Sequence, residues 1–188
     1  MNAEGIDPEL ITPAESLHAD IQETVARVAA ASDHFFVATL PQPTLLPAVE
    51  RKRKQLTVQG MPAGEIQALM DAVDLRAQQA NDVLVAAAAE CDNVHIVDLA
   101  GATAGMAANG FCVGEYTLTT RLFGGMLSLD GVHFTDTGYA MVANVFLIEI
   151  NKVLGTDVPL IDMETVYLQD YESIPVYLDA GFDPPACE

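Results

Sequence analysis

Two short apolar segments constrain the fold of this chain most. Residues 34–40 (HFFVATL) and 94–99 (VHIVDL) are rich in β-branched and aromatic side chains, which predicts two strands buried on both faces. A helical pattern from about Ala63 to Glu90 separates them. Strand–helix–strand order of this length implies parallel strands with helices on the sheet faces, so the sequence predicts an α/β fold.

Two further helices are predicted from apolar residues at helical spacing. The first is expected to begin after a cap at Thr12 and to end near Ala31. The last is expected to run from a cap at Thr135 or Asp136 to Leu154, where a glycine follows as a stop.

The connections between these elements are predicted to be irregular. Prolines at positions 41, 43 and 47 favour an extended segment after the first strand. Residues 101–113 are expected to form a loop that includes at most a short helix. Only two strands are identified, whereas an open parallel sheet usually has more, so the predicted sheet is incomplete.

The charge of the chain is strongly negative. Eight basic and 27 acidic residues give a net charge of −19, which disfavours nucleic acid as a partner because phosphate binding needs a cationic surface. The basic run 51–54 is interpreted as a solvated loop or the first turn of a helix rather than a docking patch. Residues 156–188 form an acidic, proline-containing tail after a domain of residues 1–155, and this tail is expected to run over a surface or to stay loose.

Several classes of protein are disfavoured by what the sequence lacks. It has no apolar run near the ~20 residues that a bilayer requires and no signal-peptide pattern at its start, so no membrane span is expected and the localisation is left open. The four histidines show no metal-ligand spacing, and neither a metal nor another cofactor is expected. Cys112 and Cys187 form a disulfide in one interpretation, whereas in the other all cysteines are free thiols and Cys91 is partly buried.

The segment from Ser128 to His133 (SLDGVH) carries the clearest chemical pattern. Asp130 precedes His133 by three residues on a predicted turn. A carboxylate in this position can orient an imidazole and stabilise its protonated form, while the other ring nitrogen accepts a proton from a nucleophile. Asp130 and His133 are therefore the candidate catalytic residues. In the alternative interpretation, Asp130 caps local amides and His133 packs at the entrance of a helix.

The same segment lies within a longer pattern. Residues 124–133 (GGMLSLDGVH), followed by Thr135, residues 138–140 (GYA) and residues 143–144 (AN), resemble the C-terminal block of SGNH (GDSL-type) serine hydrolases, in particular the bacterial lipase/acylhydrolase branch. The resemblance extends over about residues 10–155. It implies a flavodoxin-like three-layer α/β/α sandwich with five parallel strands, of which the N-terminal ones are absent from this sequence. Relatives of this family are often exported from bacteria.

The resemblance also implies roles for the candidate residues. Asp130 would orient His133, which would act as general base for a serine and then as general acid for the leaving alcohol of a carboxylic ester. The family's serine lies in a Gly-Asp-Ser segment and its oxyanion asparagine in a Gly-x-Asn-Asp segment, and neither segment occurs here. Residues 1–11 resemble the stretch after that asparagine. Phe134 departs from the proline that is usual in the family. The chain thus resembles the C-terminal half of an esterase and is expected to be inactive alone.

The remaining candidates are given structural roles. Ser128 is expected to stabilise the turn rather than to act as the nucleophile, because it is difficult to aim at the far nitrogen of the ring. Cys112 is considered an equally weak nucleophile candidate. His34 and His95 are interpreted as edge or core residues. Asp98 is interpreted as a loop cap.

The partners expected from this interpretation follow from the missing half. They are the ester substrate of the parent enzyme and either an N-terminal complementing chain or a second copy, associating through the exposed edge of the strand at residues 34–40. The alternative function is a non-catalytic α/β binding or assembly module.

Overall fold

The protein is described by a computed structural model that covers residues 13–170 and Cys187. Its elements in chain order are α1 (Ala14–Ala29), β1 (Phe35–Ala38), a 3-10 turn (Pro43–Leu45), α2 (Pro47–Val58), α3 (Ala63–Ala89), β2 (Val94–Val97), α4 (Leu99–Asn109), β3 (Phe111–Val113), β4 (Tyr116–Leu118), α5 (Asp136–Leu154) and α6 (Met163–Gln169). Among the described residues, no helix combines the length and the apolar character needed to cross a membrane.

The strands confirm the predicted mixed α/β class. β1 and β2 pair in parallel, with Phe35 opposite Val94 and Ala38 opposite Val97. β3 and β4 form a separate antiparallel pair that the sequence patterns did not predict. Each sheet has two strands in the part of the chain that the structure describes.

Successive residues of β1 and β2 point to opposite faces of the parallel pair, and helical segments pack against each face. On one face, alternate residues of both strands pack against α1 and α3; this core contains Val25, Phe35, Val37, Leu84, Ala88, Val94 and Ile96. On the other face, Ala38 packs against a second core that includes Leu99 of α4 and Met141 of α5. The parallel pair therefore contacts helical segments on both faces.

The prediction that both strands are buried on both faces is wrong for β1. All four of its residues are only partly buried, whereas Val94 and Val97 of β2 are buried. The amides of Phe35 and Thr39 donate to carbonyls on the β2 side. The alternation of a parallel strand then points the N–H and C=O groups of Phe36 to the opposite edge, where no strand lies among the described residues.

The extended connection predicted after β1 ends earlier than expected. Pro47 stands at the start of α2, where proline is well tolerated because its missing N–H would have no helical partner. The basic run 51–54 therefore lies inside a helix and not in a loop or a first turn. Arg53 forms a salt bridge with Glu50 at 2.6 Å, and Lys54 approaches the same carboxylate at 3.7 Å.

The loop predicted at residues 101–113 is a helix followed by a strand. Asp98 caps α4 by accepting a hydrogen bond from the Gly101 amide at 2.9 Å, and Gly110 ends the helix with φ of +73°. The cap and the buried side chains of Leu99 and Met106 favour the helix over the predicted loop.

The outer helices largely follow the predictions. α1 ends at Ala29, two residues before the predicted end, and the predicted cap Thr12 lies outside the described residues. α5 confirms the prediction: the Thr135 side chain caps it, and Gly155 ends it with φ of +63°.

The described part of the tail packs on the body of the protein. Tyr167 of α6 is buried, and its ring lies 4.8 Å from that of Tyr116. Asp170 is only 3% exposed, and one of its carboxylate oxygens accepts hydrogen bonds from the amide and hydroxyl of Thr137 at 2.7 Å each. Of the two interpretations of the cysteines, the structure has the Cys112–Cys187 disulfide. Cys91 is free and partly buried.

Candidate active site

The turn that carries Asp130 and His133 is closed by a short antiparallel contact. The Ser128 amide donates to the His133 carbonyl at 2.9 Å, and an isolated bridge joins Leu127 to Phe134. Met126 and Leu127 are buried at the base of this contact. The buried residues and the backbone hydrogen bond between Ser128 and His133 fix the base of the turn, whereas the tip of the turn lies at the surface.

The Asp130 carboxylate is bound through both of its oxygens. Oδ2 lies 2.6 Å from Nδ1 of His133. Oδ1 accepts three hydrogen bonds, from the Ser128 hydroxyl at 2.8 Å, the Val132 amide at 2.8 Å and the His133 amide at 3.0 Å. The carboxylate therefore orients the imidazole, as the catalytic interpretation expects, and also accepts from the amides of the turn, as the capping interpretation expects. The His133 ring is exposed and does not pack at the entrance of a helix.

These hydrogen bonds set the ionisation of the carboxylate. The bond from His133, followed by the two amides and the Ser128 hydroxyl, holds the pKa of Asp130 well below its usual range. A carboxylate can only accept hydrogen bonds, so Nδ1 of His133 carries the proton. In the neutral ring, Nε2 is then the acceptor. The His133 side chain is 70% exposed, so solvent or another molecule can reach it.

The helix α2, which lies far from this turn in the sequence, contacts and supports it. The Ala48 amide at the start of α2 donates to the Gly131 carbonyl at 3.1 Å, and the Arg51 guanidinium donates to the Asp130 carbonyl. Gly131 has φ of +73°, and a side chain there would meet the backbone of Ala48 and the ring of Pro47. Since α2 follows β1, these contacts connect the turn to the chain leaving the carboxyl end of the parallel pair, where α/β proteins commonly bind ligands.

The start of α5 fixes the other side of the turn. The Thr135 hydroxyl donates to the Gly125 carbonyl at 2.8 Å and accepts from the Gly138 amide at 3.0 Å. A side chain at Gly138 would overlap the carbonyl oxygen of Met126. The Gly-Tyr-Ala segment thus needs its glycine because the helix begins directly against the buried base of the turn.

The structure brings Asp130 and His133 together, and among the described residues no serine hydroxyl or free thiol is hydrogen-bonded to the His133 ring. Ser128 bonds the carboxylate, as expected for a turn-stabilising hydroxyl. Ser32 donates to the Val28 carbonyl at the end of α1. Cys112 is in a disulfide, so its consideration as a nucleophile was wrong. Of the two other serines of the chain, Ser16 lies exposed on α1, whereas Ser173 lies outside the described residues.

Two features of the structure have no signal in the sequence. Arg51 belongs to a charged run, and nothing in its position along the chain indicates that it reaches Asp130. His34 and His95 lie 61 residues apart, yet their ring nitrogens are 3.0 Å from each other. Asp98 is a cap, as predicted, but it caps the helix α4 and not a loop.

No family model, no curated protein and no solved structure matches this chain. These comparisons therefore assign the chain to no family.

Proposed function

We propose that this chain supplies the aspartate and histidine of the catalytic triad of an SGNH-type serine esterase that cleaves carboxylic esters. The observation that carries the proposal is the 2.6 Å contact between Asp130 Oδ2 and His133 Nδ1. It fixes the ring in the tautomer that a general base needs and leaves Nε2 as the acceptor.

In the proposed reaction, Nε2 of His133 takes the proton of a serine hydroxyl as the serine oxygen attacks the ester carbonyl. The resulting imidazolium is stabilised by Asp130, which remains ionised because its pKa is lowered. The imidazolium then protonates the leaving alcohol, and the acyl group stays on the serine. A water molecule, deprotonated in the same way, releases the acid and restores the serine.

The serine and the oxyanion donors come, in this proposal, from another segment or polypeptide. The edge of β1 opposite β2, which no strand occupies in the described part of the chain, is where a further parallel strand can add its hydrogen bonds, as the three-layer sandwich of the family requires. The residues on either side of Asp130 and Gly131 in the turn, Leu129 and Val132, are exposed and apolar. They support an apolar surface beside the histidine, suited to contact with an ester substrate or with the complementing half.

A second function is favoured by one observation. Among the described residues, no hydroxyl or thiol is hydrogen-bonded to Nε2 of His133. A binding or assembly module that uses the β1 edge opposite β2 needs no such nucleophile. On that account the chain associates with itself at micromolar concentration, which sedimentation velocity measures, and a complementing esterase half restores no activity.

Ester turnover distinguishes the two functions. Short-chain nitrophenyl esters are assayed with the chain alone and with an added N-terminal esterase half that carries the family's Gly-Asp-Ser segment. We expect activity only in the mixture and a loss of roughly 10³-fold or more in His133→Ala, because the base is removed from a triad that works as a unit.

Two variants make this assay specific. Asp130→Asn keeps the shape of the side chain but not its charge, so we expect a loss of ester turnover comparable to that of His133→Ala. His18→Ala changes a histidine of α1 outside the turn and should retain the parent activity. An inactive mixture, or a His133→Ala mixture as active as the parent, rules out the esterase proposal.

A further inference from the structure

His34 and His95 meet at the amino-terminal end of the parallel strand pair. Nδ1 of His34 lies 3.0 Å from Nε2 of His95, and the ring centroids are 5.2 Å apart. His95 stands opposite Phe36 in the strand register, and His34 precedes Phe36 by two residues, so all three side chains lie on the same face. The two rings are thus held together by the register of β1 and β2.

The spacing of the two nitrogens suits a shared metal ion. At the usual zinc–nitrogen distance, two imidazole nitrogens bound to one ion lie roughly 2.9 Å apart for a right angle and roughly 3.4 Å apart for a tetrahedral angle. The observed separation of 3.0 Å falls within this range. The two nitrogens face each other in the hydrogen-bonded arrangement, so both rings must turn to direct their lone pairs to one ion.

We propose that His34 and His95 form a two-histidine binding site for a divalent transition-metal ion such as Zn²⁺. Imidazole ligands favour Zn²⁺, Cu²⁺ and Ni²⁺ over Mg²⁺ and Ca²⁺. The net charge of −19 attracts cations to the protein. This proposal is independent of the esterase function, since neither residue belongs to the turn that carries His133.

Metal binding replaces the hydrogen bond between the rings. In that bond one ring nitrogen donates its proton to the other. When the ion binds, the donor ring carries its proton on its other nitrogen instead, so both facing nitrogens can act as ligands. The described residues contain no group of three metal-ligating side chains. Water then fills the remaining positions, as in an open and exchangeable site.

An ion in this site joins the two strands. It contacts His34 just before β1 and His95 within β2, which are neighbours only when the strands are paired. A ligand that binds the folded state and not the unfolded chain raises the stability of the fold. The site should therefore make the melting temperature depend on zinc concentration.

Calorimetric titration with ZnCl₂ tests the proposal on the full, tag-free, disulfide-bonded chain. We expect one ion per chain and a melting temperature that rises with zinc, with no effect of MgCl₂ at the same concentrations. His34→Gln and His95→Gln should each weaken binding by roughly 100-fold, because each removes one arm of the chelate. His18→Gln and His133→Gln, which leave the pair intact, should bind zinc as the parent does.

A double variant keeps the result unambiguous if zinc also binds elsewhere. His34→Gln/His95→Gln, with its fold checked by circular dichroism, should lose the zinc-dependent rise in melting temperature. Equal zinc binding by this variant and the parent would overturn the proposal. So would the absence of binding at millimolar zinc, or a loss of binding in His133→Gln instead.

Discussion

Two histidine contacts in this molecule are built in opposite ways. His133 meets Asp130, three residues before it, within a turn closed by its own backbone hydrogen bonds. His34 meets His95, 61 residues away, only because β1 and β2 pair in a particular register. The first contact is visible as a sequence pattern and the second is not. The difference teaches that local chemistry can be predicted before the fold is known, whereas non-local chemistry reports on the fold itself.

The turn nevertheless depends on distant residues, and the largest expected effect tests this dependence. Asp170→Ala removes the buried carboxylate that binds Thr137 in the first turn of α5, just after His133. Leaving these buried donors without their acceptor is expected to cost roughly 3 kcal/mol of unfolding free energy, measured by urea denaturation. Asp162→Ala is the matched control, because Asp162 is an exposed cap in the same tail and should cost clearly less.

A smaller effect is expected when the turn is separated from α2. Gly131→Ala places a side chain against Ala48 and Pro47 at φ of +73°. We expect the free energy of unfolding, measured by urea denaturation, to fall by roughly 2 kcal/mol. Gly60→Ala is the control: its φ is +83°, but no atom lies within 4 Å of the added carbon. Equal losses in the two variants would show that the contact with α2 does not support the turn. The His34–His95 pair should keep its zinc affinity in both.

The reverse experiment loosens the distant pair and spares the turn. Asn93 donates to the carbonyls of Ala29 and Ser32 at 2.8 and 2.7 Å and so fixes the connection that leads to His34. Asn93→Ala is expected to lower the free energy of unfolding by about 1 kcal/mol and to weaken zinc binding at the His34–His95 pair. Asn144→Ala, which breaks a comparable contact with Ile161, should leave zinc binding unchanged. Unchanged zinc binding in Asn93→Ala would contradict this account of the pair.

The smallest effect concerns the ionisation of Asp130. Its pKa in the folded state is lowered, so its contribution to stability is fully present above the ordinary aspartate pKa and is lost only as the pH falls through the lower folded value. Carboxyl NMR titration should therefore give a midpoint below the usual one. His133→Ala should raise this midpoint most and Ser128→Ala less, because His133 is the strongest of the donors. A midpoint that stays unchanged in His133→Ala would contradict the described contact.

The sequence predicts those parts of the fold that depend on local patterns. The parallel strands, α3, and α5 with its Thr135 cap follow from periodicity and capping residues. Of the candidate site, the Asp130–His133 contact and the role of Ser128 were predicted for the same reason.

Features that depend on tertiary contacts were not predictable. The residues of β1 are only partly buried because their burial depends on the neighbouring strands. No local residue pattern indicates how many neighbouring strands there are. The glycine-containing segment before β3 folds as α4 because its apolar side chains pack into a hydrophobic core. The contacts of Arg51 and of the His34–His95 pair join residues far apart in the chain, so their spacing carries no signal.

The most direct test of the central claim is to find which serine His133 activates. The chain and the complementing esterase half are treated with a fluorophosphonate, which labels activated serines, and the labelled residue is identified by mass spectrometry. The account predicts labelling of the serine in the added Gly-Asp-Ser segment, slowed roughly 10³-fold or more by His133→Ala and unaffected by His18→Ala. Labelling at the same rate in His133→Ala, or labelling of Ser128 in this chain, would contradict it.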